Sequence, residues 1–191
     1  MSILQPYKYK IFYKQIPLKK GISKLEQNKI MHDAGINLLD EKLEEIFNVK
    51  NARENYCSSL NGKPYLKNSS INFNISHCNN IVVVIISNKN VGIDIEDIKE
   101  FKKSIIRKVL TNNELIDLLS ANNKKEYFFK LWTLKESFLK AIGTGLSYGM
   151  QNIEFSIKDK NIICNKIGFL FKQESLIFNN NKYIVSITWE V

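Results

Sequence analysis

Two carboxylates separated by a single residue stand in the segment Val91-Gly-Ile-Asp94-Ile-Glu96. Side chains alternate faces along a strand, so Val91, Ile93 and Ile95 point one way, Asp94 and Glu96 the other. At ~3.3 Å per residue the two acids lie about 6.6 Å apart, where like charges repel unless a cation sits between them. Hard oxygen ligands without a nearby histidine or cysteine in the segment suit Mg²⁺ or Mn²⁺ rather than zinc. A polar strand face turned to solvent explains the same alternation, so both readings stand on these residues alone.

A second constellation lies in Trp132-Thr-Leu-Lys135-Glu136-Ser-Phe-Leu-Lys140. On a helix, Phe128, Leu131, Leu134, Phe138 and Ile142 form one apolar stripe, the expected core face. Trp132, Glu136 and Lys140 recur at i, i+4 and i+8 and form another. A Glu–Lys pair at that spacing is ordinarily a surface ion pair worth a few tenths of a kcal/mol. The tryptophan on the same strip argues against a purely solvated face. A third group is Phe73-Asn-Ile-Ser76-His77, where His77 is one of two histidines, the other being His32. Adjacent residues on a strand face opposite ways, so Ser76-His77 is no hydrolase pair.

The elements that must carry these residues follow from pattern and punctuation. Tyr7 to Ile16 reads as a strand, ended by Pro17 and Gly21. Ser23 with Glu26 forms a capping box that opens a helix, and a second helical pattern runs from Ile36 to Phe47. Asn61-Gly62-Lys63-Pro64 is a turn, and Ile71 to Ile75 a short strand. The six β-branched residues Ile81 to Ile86 predict a strand buried on both faces, joined through Ser87–Asn90 to Val91–Glu96 as a β-hairpin. Thr111 and Glu114 form another capping box. The longest helical pattern, Lys124 to Ile142, closes at Gly143. Ile153 to Val191 reads as three strands. This order predicts an α+β fold of two similar α/β halves, residues 1–98 and 99–191, packed about a cleft.

The chain has 191 residues, 44% of them hydrophobic, which is enough for a sizeable core. No apolar run approaches the ~20 residues of a membrane span, and Met1 to Lys10 has no secretory-signal pattern. Three cysteines, Cys57, Cys78 and Cys164, without a CxxC spacing, read as cytoplasmic thiols. The net charge of +9 favours acidic partners. No run of like charge exceeds a dipeptide, and Arg53 and Arg107 are the only arginines.

Taken in order, Gly62-Lys63-Pro64, Phe73-Asn-Ile-Ser76-His77, Gly92-Ile-Asp94-Ile-Glu96, Trp132-x-x-Lys135-Glu136-x-x-x-Lys140 and Ala141-Ile-Gly143-Thr-Gly145-Leu-Ser147 resemble the Sfp-type 4′-phosphopantetheinyl transferase family. The resemblance runs from about Gly62 to Phe155. It implies two α/β halves related by a pseudo-twofold, with coenzyme A as co-substrate in the cleft between them. It implies Mg²⁺ (or Mn²⁺) held by Asp94, Glu96 and Glu136, proton acceptance by Glu136, and charge stabilisation by Lys140. Ser76 and His77 are then expected at the 3′-phosphate, and Lys63, Pro64 and Lys135 at phosphate or nucleotide. The implied partner is an acidic acyl- or peptidyl-carrier protein, steered by the basic surface around Lys102, Lys103, Arg107 and Lys108. The protein is expected to be a cytoplasmic monomer without nucleic-acid or membrane partners.

One departure from the family pattern is the lack of an arginine between Ser23 and Phe47. Lys24, Lys29, His32, Lys19 or Lys20 must serve in its place, without a bidentate fork. Two rival functions share parts of this pattern. A metal-dependent nuclease also clusters acids beside a lysine, but basic patches interleaved with aromatics are missing here. A non-catalytic coenzyme-A-binding relative is expected to have lost one of Asp94, Glu96, Glu136 or Lys140, and all are present.

Overall fold

A computed structural model of the chain describes residues 9–159 and 161–191. In chain order the elements are β1 (Lys10–Gln15), α1 (Lys24–Phe47), β2 (Tyr56–Ser58), β3 (Pro64–Leu66), β4 (Asn72–Cys78), β5 (Ile81–Ser87), β6 (Val91–Asp97), α2 (Lys103–Val109), α3 (Asn112–Ser120), α4 (Lys124–Ile142), β7 (Phe155–Lys158), β8 (Asn161–Cys164), β9 (Phe169–Phe178) and β10 (Asn181–Glu190). Tyr7 and Lys8, at the start of the expected first strand, lie outside the described residues.

Two three-stranded antiparallel sheets, in the orders β1-β5-β4 and β6-β10-β9, form the centre of the molecule. Their inner faces meet in one apolar layer, where Ile81, Val83 and Ile85 of β5 pack with Val91, Ile93 and Ile95 of β6 and Val185 and Ile187 of β10. The opposite face of β5, Val82, Val84 and Ile86, packs under α1 against Leu38, Leu39 and Leu43. That double burial is why the run from Ile81 to Ile86 is apolar at every position.

Sheet pairing corrects two expectations. β5 and β6 do not form a hairpin: β5 pairs with β1 and β4, whereas β6 pairs with β10. The turn at 88–90 instead carries the chain from one sheet to the other. The region from 24 to 47 is one continuous helix, not two. Its pattern is interrupted at Gly35, a poor helix former, because α1 crosses the sheet there. A Cβ at Gly35 would stand 2.7 Å from Ile75 Cγ2.

Further differences are local. The strand expected at 71–75 runs to Cys78, so Ser76 and His77 are strand residues. The turn at 61–64 joins the short pair β2–β3. The segment after Ile153 holds four strands, not three, and α2 precedes α3. The caps at Thr111 and Gly143 form as the sequence implies, Thr111 with the full reciprocal box and Gly143 in the left-handed region at φ 70°, whereas at Ser23 only half of the expected box forms, its hydroxyl accepting the Glu26 amide.

The long helix α4 lies on the outer face of the second sheet. Its apolar stripe, Phe128, Leu131, Leu134 and Phe138, enters a core with Ile153, Phe155 and Ile184. A second face, invisible to hydrophobic patterning, is buried as well. Thr133 bonds Ser186 of β10 at 2.7 Å, and Ser137 bonds Thr188 at 2.8 Å. Gly92 of β6 permits the close approach, because a Cβ there would overlap the Ser137 carbonyl oxygen and the Ala141 backbone nitrogen. Gly92→Ala is therefore expected to destabilise the fold by about 3 kcal/mol, the upper range for overpacking, since the obstacle is backbone and cannot rotate away. Urea unfolding measures this, and a loss below about 1 kcal/mol would contradict the contact.

Candidate active site

Where β4 and β6 run alongside each other, no backbone ladder joins them. The side chain of Asn74 bridges the gap instead: its Oδ1 accepts the Ile93 amide at 3.0 Å in a buried bond. This fixes Asp94, the next residue of β6, opposite Ser76 of β4. Ser76 donates to Asp94 Oδ1 at 3.0 Å. The outer strip of α4 then supplies Lys140, whose ammonium donates to Asp94 Oδ1 at 2.6 Å, Ser76 Oγ at 2.9 Å and the Ile93 carbonyl at 3.2 Å.

Ile75, Ser76, His77, Asp94, Glu96, Trp132, Glu136 and Lys140 line one cavity of about 290 Å³. Three stretches far apart in sequence thus converge on one opening. Burial pushes Glu136 up to about 7, helped by the charge of Asp94 and opposed by Lys140. Glu96 is also raised, first by burial and also by Asp94, while the Lys99 ammonium at 2.9 Å works against the rise. The Oδ2 atom of Asp94 is buried without a hydrogen-bond partner among the described residues.

That orphaned oxygen, together with two carboxyls raised first by burial and then by neighbouring carboxylates, fits a hard divalent cation that carboxylates would hold. The carboxylates are not closed around a common point. Lys140 draws Asp94 one way and Lys99 draws Glu96 another. Among the described residues, the group whose ligating atoms all lie within 4.8 Å of one another is Cys78, Glu96 and Asp97, which the Lys99 ammonium bridges at the two acids. Sequence reasoning missed Asp97 and Cys78. Asp97 adjoins Glu96, and Cys78 is two residues beyond Ser76 on the same strand face, but neither carries a signal by itself.

The metal-free carboxyl also makes a pH prediction. A raised carboxyl pKa adds stability that is present below the unfolded value of 4.5 and lost as pH rises through about 7. In chelating buffer, Glu136→Gln is therefore expected to match wild type at pH 4.5 and to melt a few degrees higher at pH 8. Parallel melting curves across that range would contradict it.

Two more cavities adjoin the first. One of about 260 Å³ shares Glu136 and Lys140 with it and is walled by Pro64, Asn74, Leu139, Gly143 and Leu146. Another, of about 490 Å³, shares Ile75 and His77 and brings in His32, Tyr56, Ser58 and Pro64. His32 thus faces the same cavity as His77, whose pKa is lowered by burial and by the nearby Lys140, His32 and Lys24. Arg53 lies elsewhere, on Asp40 and Asn37.

One expected phosphate ligand, Lys135, is corrected. Lys135 has no solvent exposure, and its ammonium is spent on Glu114 at 2.5 Å and the carbonyls of Val109 and Met150 at 2.7 and 3.0 Å. It points away from the cavity because it follows Leu134 on the core side of α4. Lys63 lines two of the cavities with its stem, but its ammonium bonds the Ala141 carbonyl at 2.6 Å and the Val91 carbonyl at 3.4 Å. Burial lowers it to about 8. In this position it ties the β2–β3 turn to the end of α4 while lining the cavities.

The profile of the 4′-phosphopantetheinyl transferase superfamily matches residues 90–188. The 4′-phosphopantetheinyl transferase psf-1 of Bacillus pumilus is 34% identical over 163 residues, covering 78% of this chain and 70% of that protein. The 4′-phosphopantetheinyl transferase gsp of Aneurinibacillus migulanus is 41% identical over 111 residues, covering 57% of this chain and 46% of its own. For the 4′-phosphopantetheinyl transferase Sfp of Bacillus subtilis (strain 168) the identity is 35% over 100 residues, with coverage of 51% and 44%. The chain thus spans under half the length of the last two relatives. No described helix is long and apolar enough to cross a membrane.

Proposed function

The chain belongs to the 4′-phosphopantetheinyl transferase superfamily, and from that premise we propose that it moves the 4′-phosphopantetheine arm of coenzyme A onto a serine hydroxyl of an apo acyl- or peptidyl-carrier protein. The other product is 3′,5′-adenosine bisphosphate. The observation that carries this reading is the convergence of Asp94, Glu96, Glu136 and Lys140 on one cavity, with a buried Asp94 oxygen lacking any partner among the described residues.

Asp94, Glu96 and Glu136 are the residues that would hold Mg²⁺, which when bound neutralises the pyrophosphate and polarises the phosphorus under attack. Glu136 is suited by its place in the cavity to accept the serine proton at its carboxylate, directly or through one water. Lys140 supplies positive charge for the oxygen that leaves with the nucleotide. The serine oxygen bonds to phosphorus as the phosphoanhydride bond breaks, so each proton and electron pair has an acceptor.

The cavity lined by His32, Tyr56 and His77 suits the nucleotide, and the one bounded by Leu139, Gly143 and Leu146 suits the arm. Two imidazoles in place of an arginine fork give a loose grip on the 3′-phosphate. Dephospho-coenzyme A is therefore expected to be turned over within about tenfold of coenzyme A, a factor worth ~1.4 kcal/mol. A preference above a hundredfold would contradict this. We read the partner as an acidic carrier met by the basic α2 region, the protein as a monomer, and its setting as the cytoplasm, where its free cysteines stay reduced.

Incubating the protein with apo-carrier, coenzyme A and Mg²⁺ tests the function. Mass spectrometry should show the carrier gaining one arm. If every class of apo-carrier remains unmodified, the proposal fails.

A further inference from the structure

The three N–H donors of Lys140 are all directed inward, onto Asp94 Oδ1, Ser76 Oγ and the Ile93 carbonyl. An ammonium has three donors and no acceptor, so this set saturates it. Lys140 cannot reach a phosphate in the cleft without breaking these bonds, and Asp94 cannot offer its full charge to another cation while they stand. Lys140 and Asp94 are both in the lining of the cavity, so both border the space that a ligand would enter. A second lysine is arranged similarly: Lys99 sits 2.9 Å from Glu96 and 2.9 Å from Asp97.

We propose that Lys140 is a tethered counter-ion that competes with the divalent cation for Asp94, so that the cation and the phosphate-bearing donor bind cooperatively. This rests on the transferase reading above. When a diphosphate enters the cleft, Lys140 exchanges Asp94 for phosphate oxygen, and the Asp94 carboxylate, no longer paired with an ammonium, is open to the metal. Coupling of this kind is reciprocal: whatever the diphosphate adds to metal affinity, the metal adds to diphosphate affinity. The consequence for the enzyme is that metal does not load firmly until the donor is present, and Lys140 sets that order.

The test is calorimetric titration of Mn²⁺ into the protein without coenzyme A or carrier. Lys140→Met keeps the stem and deletes the charge, and Lys140→Gln is the second neutral variant should the first fail to fold. Either is expected to bind Mn²⁺ at least about tenfold more tightly than wild type. Lys140→Arg, which keeps the charge, should bind like wild type. With coenzyme A present, the gain in Mn²⁺ affinity should be larger for wild type than for Lys140→Met. Equal, weaker or absent Mn²⁺ binding by the folded neutral variants would overturn the inference. Failure of the transferase reading shows itself separately, as a wild-type protein that modifies no apo-carrier.

Discussion

Asp94→Asn is expected to lower the rate of carrier modification by about a thousandfold, with little change in thermal stability. The substitution keeps the shape of the side chain and removes its charge. It does so at the one residue that holds Lys140 through Oδ1 while its buried Oδ2 has no partner among the described residues. Electrostatic groups aimed at a reacting phosphoryl are worth on the order of 10² to 10³ in rate apiece, and Asp94 serves two, the cation site and Lys140. Glu136→Gln should lose a comparable factor, since general-base removal costs about 10² to 10⁴. Steady-state kinetics with mass-spectrometric detection of the holo-carrier gives both values. Activity of Asp94→Asn within tenfold of wild type would remove Asp94 from the chemistry.

Lys135→Met is expected to act on stability rather than on the site, and strongly. Glu114 is completely buried; it accepts Lys135 through Oε2 and the Phe155 amide through Oε1 at 2.9 Å. Oε2 also accepts the Thr111 amide at 2.9 Å. Deleting the lysine leaves a carboxylate without its counter-ion and strands the carbonyls of Val109 and Met150. Breaking a buried pair in this way costs about 3–5 kcal/mol, which for a chain of this size lowers Tm by roughly 10 °C. The double variant Lys135→Met/Glu114→Gln removes the stranded charge while leaving an amide oxygen for the backbone donors, and should recover more than half of the loss. Calorimetric melting of the three proteins decides it. A double variant no better than Lys135→Met would mean that packing, not charge, is what the lysine supplies.

These two residues show how much of the site was legible beforehand. Strand alternation puts Asp94 and Glu96 on one face, and helical spacing puts Glu136 and Lys140 on one strip. A solvated face explains either pattern alone, and only the order of the motifs and the family resemblance joined them into a site. Lys135 and Glu136 are neighbours in sequence and look alike as charged residues of one motif. The structure turns one into the core and the other into the cavity. A 100° step around the helix separates them, and hydrophobic patterning could not say that a lysine would be the residue on the buried side. Lys63 has partners that no local pattern names: the end of α4 offers carbonyls that only a tertiary contact brings within reach.

What the sequence determined by itself is local. It contains the helix caps at Ser23, Thr111 and Gly143, the double-faced run from Ile81 to Ile86, the acids on one face of β6 and the strip on α4. Each of these follows from interactions spanning a few residues, or from a periodicity that one element imposes on its own side chains. What only the tertiary structure decided is pairing and depth. β6 joins β10, nearly a hundred residues away, and not its neighbour β5, because strand partners are chosen by whichever apolar faces can close a common layer. The gap this leaves between β4 and β6 is bridged by Asn74. The same packing brings α4 down onto Gly92, buries Thr133, Lys135 and Ser137 with partners from other segments, and sets Lys140 on Asp94. Burial of a polar group is favourable only once its partner is in place, and that partner lies too far along the chain for any local pattern to record it.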